Sequence, residues 1–309
     1  MTFADWLSES RHRILQDGIK EGLCDSAYEF YIGALRRLEP FGRTGTNVFS
    51  EDWDLLVILD GTRVDAMEVV EADYSFLSEP DTIRSVGSTS KDWIDRTFTD
   101  EHTEAMDDTV YVTANQFSQD ILADQEFLLL DEVWRYGWDA EKRTIPARAV
   151  TDAAILVGRE YRKEMDRCIV HYMQPHFPSI PDPIDDPSTK TTDEKTFELS
   201  VWEDFRKGSV DKSRVWESYL QNLRYVLDDV KVLLNNFEAE TVRISADHGQ
   251  AFGEKGVYGH PAVSLSCLQS VPWYRTKATD TGSYVPDERV KQEVADDNIE
   301  DQLRALGYK

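Results

Sequence analysis

The chain has 309 residues, with 34 Lys and Arg against 59 Asp and Glu, for a formal net charge of −25. Apolar residues make up 40% and aromatic residues 11%, enough for a sizeable core and too much for a disordered chain. A surface this acidic excludes nucleic acid and anionic lipid as main partners, because both require a cationic face. No run approaches the ~18 apolar residues of a membrane span; Leu55 to Leu59, with no longer run elsewhere, is five residues.

Three further readings follow from composition. The first residues, MTFADWLSESRHR, lack a basic start followed by an apolar stretch, so no secretory leader is expected. Cys24, Cys168 and Cys267 are odd in number and show no CxxC spacing, which argues against a disulfide framework or a structural zinc site. A cytoplasmic location is therefore expected. The acidic excess is spread along the chain and reads as a halophilic surface, since salt screens self-repulsion; an ordinary acidic enzyme is the other reading.

In chain order, residues 2–40 carry apolar positions at helical spacing and predict two helices, ended by Pro40 and the glycines at 42 and 45. The run 54–59 is continuously apolar, as a buried parallel strand should be, and a helix follows from about Thr62. Residues 83–86 predict a short strand, 90–98 a helix, 109–113 a strand and 147–165 a helix. Residues 168–173 predict a strand, 215–237 a long helix and 241–246 another strand. Strands alternating with helices predict an α/β fold: a doubly wound, mostly parallel sheet with helices on both faces. Residues 178–195 hold four prolines and predict a loop. The organisation expected is an N-terminal helical extension (1–48), a catalytic domain (49–278) with an acidic insertion at 178–212, and an acidic tail (279–309) with a helix at 287–306.

In open α/β sheets, sites form at the carboxyl ends of strands. Four such ends carry unusual polar clusters. Strand 54–59 runs into Asp60, with Arg63 three residues on. Strand 83–86 runs into Gly87-Ser88-Thr89-Ser90. Strand 168–173 is bracketed by His171 and His176, and strand 241–246 runs into Asp247-His248-Gly249, followed by His260. Each has an ordinary explanation: Asp60 as a helix cap, the Ser/Thr run as a cap, Asp247-His248 as a self-bonded turn. Four clusters at one sheet edge make those explanations poor together. His12 and His102 stand apart from them.

These residues resemble a family. The segment ADHGQAFGEKGVYGH, Ala246 to His260, is similar to the DHGE-x-x-GE-x-G-x-Y-x-H segment of the alkaline-phosphatase/sulfatase superfamily, nearest its phosphoethanolamine-transferase branch. LLVILDGTR (55–63) resembles the first-strand motif, with an acidic metal ligand and an Arg three residues later. HYMQPH (171–176) reproduces a two-histidine spacing of those transferases. SKDWIDRTFT (90–99) resembles the nucleophile helix, and Phe98-Thr99 fits its register when the nucleophile is Ser90.

The resemblance implies an alkaline-phosphatase-like sheet over about residues 50–275 and a metal-dependent phospho-ester hydrolase or phosphotransferase. Asp60, Asp247, His248 and Ser90 would hold a divalent metal, zinc or manganese, with a second, weaker site at His171. Ser90 would attack phosphorus and form a covalent phospho-enzyme. His176 and His260 would face the phosphoryl oxygens or protonate the leaving group, Arg63 would clamp a substrate anion, and His171, Thr89 and Ser88 would line the substrate. A salt bridge to a surface acid is the alternative for Arg63, and Ser90 is expected at the N-cap of a helix starting at Lys91. The substrate class is a small-molecule or glycan- or lipid-linked phosphate ester. The chain departs from the family at position 250, Gln where Glu is usual, and lacks the Cys-x-Pro-x-Arg signature of sulfatases. Sulfate-ester hydrolysis by unmodified Ser is the alternative activity, and a non-catalytic scaffold the alternative class.

Overall fold

The structure is a computed structural model that describes residue 11 and residues 18–37, 45–123, 125–184 and 200–287. The predicted first helix and the tail helix lie outside the described residues, as do residues 185–199 of the acidic insertion. At the centre is a seven-stranded sheet in the order β2-β9-β6-β1-β5-β3-β4. Its strands are β1 (Leu55–Leu59), β2 (Thr82–Arg84), β3 (Thr109–Thr113), β4 (Leu129–Glu132), β5 (Arg167–Tyr172), β6 (Ala239–Ser245) and β9 (Ser270–Ala278). β1 lies between β5 and β6 and pairs with both in parallel; β3 continues the parallel set from β5 to β4. β9 runs antiparallel to β6 and β2. A separate hairpin joins β7 (Ala251–Phe252) to β8 (Tyr258–Gly259).

β1 is buried along its whole length, as a strand covered on both faces must be. Leu55, Val57 and Leu59 pack with α2 (Val64–Val70), α4 (Ala147–Glu160) and α6 (Lys212–Leu234), through Met67, Val150, Leu223 and Val230 among others. Leu56 and Ile58 face the other way, into Trp93 and Ile94 of α3 (Ser90–Thr97) and the rings of Trp53, Phe98 and Tyr111. Each fully buried Leu or Ile contributes about 1.5–3 kcal/mol, so the two layers fix the register of β1 from both sides.

Two further helices brace the β7–β8 hairpin. α1 (Ile19–Arg37) packs Ile32, Tyr28 and Leu35 against Val257, Val263 and Leu268. Within the span predicted as a loop insertion, 200–207 form a helix, α5 (Ser200–Lys207), whose Trp202 meets Phe177 and Phe252 edge-on. The first residues of the tail are anchored: Thr279 bonds Leu234, and Tyr284 donates to Asp152 on α4. Among the described residues no helix is long and apolar enough to cross a membrane.

Candidate active site

Side chains alternate across a strand, and that alternation decides which polar residues meet. On β1 the odd positions face the α2/α4/α6 layer, so Asp60, one step past the strand end, falls on the α3 side. On β6, Val242 and Ile244 face the first layer, which sends Asp247 to the α3 side. The same parity applies to His171 on β5 and to Tyr111 and Asn115 around the end of β3.

These side chains converge. Asp60, His171 and Asp247 are fully buried and offer ligand atoms that all lie within 4.8 Å of one another. His248 Nε2 is 3.5 Å from Asp60 Oδ1 and 3.5 Å from Asp247 Oδ2, and His171 Nε2 is 3.7 Å from Asp247 Oδ2. Those separations exceed a hydrogen bond. They match the roughly 3–4 Å expected between donors that each sit ~2.0–2.2 Å from a common ion. Asp247 Oδ2 and His171 Nε2 make no hydrogen bond, although buried polar atoms are nearly always paired. Two carboxylates with imidazole nitrogens form a donor set suited to a divalent metal such as zinc or manganese. The residues fit such an ion.

The nucleophile candidate joins them. Ser90 Oγ donates to Asp60 Oδ2 at 3.1 Å and lies 3.2 Å from His248 Nε2. The expected cap is corrected here. Thr89, not Ser90, is the N-cap: its backbone is extended and its hydroxyl accepts from Asp92 N at 3.1 Å. Ser90 is therefore the first helical residue, and its hydroxyl turns to the carboxylate instead of the helix end. Gly87 permits this turn, because a Cβ there would lie 2.5 Å from Trp93 N. Ser88 is buried.

The histidines are held in defined tautomers. His176 Nδ1 lies 2.6 Å from Phe177 O and His248 Nδ1 lies 2.8 Å from Gly249 O. A carbonyl oxygen only accepts, so Nδ1 carries the proton in both and Nε2 presents a lone pair. His260 stacks on His248 with ring centres 4.7 Å apart and meets His176 edge-on at 4.9 Å. Burial pushes His171 and His176 down to about 4; His248 adds to this in both, and Asp247 opposes it. Burial, with His248 and His176, also holds His260 well below its ordinary value. Burial works against the Asp247 carboxylate, yet His248, His171 and the Gly61 N–H keep it below its usual range.

Not every candidate joins the cluster. The Arg63 guanidinium is committed elsewhere: it pairs with Asp65 at 2.6 Å and Glu254 at 2.8 Å, and donates to Gln250 O at 2.6 Å. Its charge is thus spent on the surface-acid alternative rather than turned toward the metal donors. His171, expected at a second metal or the substrate, instead shares the first cluster, with Nδ1 2.9 Å from the Tyr111 hydroxyl. Asn115 was missed altogether: its amide donates to Asp60 Oδ2 at 3.2 Å from a fully buried position. The strand-end rule applied to β3 would have found it.

No protein-family model matches the chain, and no curated protein does. Solved structures do. The integral membrane protein lipooligosaccharide phosphoethanolamine transferase A of Neisseria meningitidis is 13% identical with a TM-score of 0.51, covering 91% of this chain and 60% of its own. The present chain thus spans about three fifths of that protein. The soluble domain of the same transferase is 15% identical (TM-score 0.47), covering 72% of this chain and 76% of its own. A protein in the alkaline phosphatase superfamily from Vibrio parahaemolyticus is 10% identical (TM-score 0.42), covering 81% and 68%. The sheet and its surrounding helices are those of the alkaline-phosphatase-like α/β fold.

Proposed function

We propose that this chain is a metal-dependent phospho-ester hydrolase or phosphotransferase that works through Ser90. The observation that carries the reading is the Ser90 hydroxyl, within hydrogen-bond reach of both Asp60 and His248 in the buried cluster that includes Asp247. A divalent metal held by Asp60, Asp247, His248 and Ser90, with His171 Nε2 in reach of the same ion, would lower the pKa of the serine hydroxyl and polarise a phosphoryl oxygen. The protein's own groups do the rest.

Ser90 Oγ forms a bond to phosphorus as the ester oxygen departs on the opposite side. The serine proton passes to an imidazole Nε2 and from there to the departing oxygen. His176 and His260 suit this task, with burial keeping both neutral at pH 7. In the second half, water or an acceptor alcohol gives its proton to the same nitrogen and attacks phosphorus. That nitrogen returns the proton to Ser90 Oγ as the phosphorus–Oγ bond breaks. The start of α3 adds N–H groups and partial positive charge beside the transferred group.

The test is turnover of an aryl phosphate against an aryl sulfate, with metal content measured on the same preparation. The reading expects bound metal and phosphate turnover. Preference for the sulfate would make the chain a sulfatase with unmodified serine, and absence of metal and of both activities would make it a scaffold.

A further inference from the structure

Gln250 is fully buried and sits two residues after the metal-donor candidate His248. Its Oε1 lies 3.1 Å from His260 Nδ1. Its main-chain oxygen accepts from Arg63, which is itself pinned by Asp65 and Glu254. On the other side its amide nitrogen packs against Gly61, where a Cβ would stand 2.9 Å away, and that nitrogen makes no hydrogen bond. The amide is thus clamped from its backbone and from Gly61, and Oε1 is the end aimed at the imidazole.

We infer that Gln250 is a positioning residue that fixes His260 in the tautomer with the proton on Nδ1, so that Nε2 enters the reaction as a proton acceptor. The proposal rests on the phosphoryl-transfer reading above and adds the device that sets the role of one base. An amide oxygen only accepts, so with Oε1 facing the ring, Nδ1 must donate and Nε2 keeps its lone pair. His176 and His248 reach the same state through main-chain carbonyls of the residues that follow them, which no side-chain substitution removes. His260 depends instead on a side chain ten residues away. A carboxylate here would make the same contact while adding a charge. The amide makes it without one, beside a cluster that already holds Asp60 and Asp247. Because His260 stacks on His248 and meets His176, its ring plane is set by neighbours, and Gln250 decides which edge carries the proton.

The experiment is nitrogen-15 NMR of histidine-labelled, zinc-loaded protein, with His260 identified by its loss in His260→Gln, alongside steady-state kinetics on an aryl phosphate. The wild type should show His260 as a single Nδ1–H tautomer. Gln250→Met, which keeps the length but has no acceptor, should give mixed tautomers. It should also lower kcat about tenfold or more, the scale of a lost orienting hydrogen bond, with KM and zinc content little changed. Gln250→Glu, which still accepts from Nδ1, should restore the single tautomer. A wild-type His260 protonated on Nε2, or a Gln250→Met protein with an unchanged tautomer, would overturn the inference. A wild type that turns over no phosphate ester but shows the Nδ1–H tautomer would sink the functional reading and leave the positioning role standing.

Discussion

The Ser90 hydroxyl donates to Asp60 Oδ2 at 3.1 Å although the two residues stand thirty positions apart and on different elements. The contact exists because Thr89 takes over the helix cap. Two neighbouring hydroxyls therefore have separable effects. Ser90→Ala should lower phosphoryl transfer by several powers of ten while the thermal midpoint holds. Thr89→Ala should cost about 1 kcal/mol of stability and leave most turnover, and Ser88→Ala should cost little. Turnover and thermal melts on the three variants decide it; a dead Ser88→Ala beside an active Ser90→Ala would move the nucleophile.

Asn115 donates to the same carboxylate oxygen, at 3.2 Å. Groups that orient a metal-binding carboxylate typically change affinity 10–100-fold, so Asn115→Ala should weaken zinc binding by about that factor. Competition against a chromogenic chelator measures it. An unchanged affinity would mean that Asp60 needs no such support.

Arg63 should behave as a structural residue. With its guanidinium shared between Asp65, Glu254 and Gln250 O, Arg63→Met leaves part-buried acceptors unmatched and should cost about 1–3 kcal/mol in chemical denaturation. KM for a phosphate ester should hardly move. A large rise in KM at unchanged stability would restore Arg63 as the anion clamp.

Acid should destabilise the metal-free protein through its buried histidines. His171 and His176 protonate near 4 in the fold but near 6.5 when unfolded, so the unfolded chain binds those protons more tightly. Stability should be full above pH ~6.5 and fall as pH drops toward ~4. The Asp247 carboxylate, held below its usual range, acts only below that window. Melts in chelator between pH 7.5 and 5 check this; a flat midpoint would contradict the neutral, buried state.

The parallel heart of the fold was legible first at β1, a continuous apolar run and so the signature of a strand covered on both faces, while β5 and β6 carry shorter apolar stretches and follow from the alternation of strands with helices. β9 was not, since VPWYRTKA mixes a proline with alternating charged residues, as suits a strand that runs antiparallel toward the sheet edge. The helix at 200–207 was hidden by the proline-rich stretch before it. In the site, Asp60, Ser90, Asp247 and His248 could be read from strand ends and family spacing. Asn115 is passed over because Asn after a strand is common turn chemistry, although the strand-end rule applied to β3 points to it. For Ser90 the Phe98-Thr99 register is the informative signal, whereas the capping argument misplaces the helix start by one residue, since capping preference alone does not distinguish Thr89 from Ser90. Arg63 is the contrasting case: its spacing fits a motif, and its pairing with Asp65 and Glu254 follows the surface-acid alternative instead.

The most direct test of the central claim is anomalous scattering at the zinc edge from crystals grown with zinc and soaked with a phosphate ester. The account predicts a metal bonded to Asp60, Asp247 and His248, with phosphorus density on or beside Ser90 Oγ. Metal bound away from these carboxylates, or phosphorus attached to Ser88 or Thr89, would contradict it.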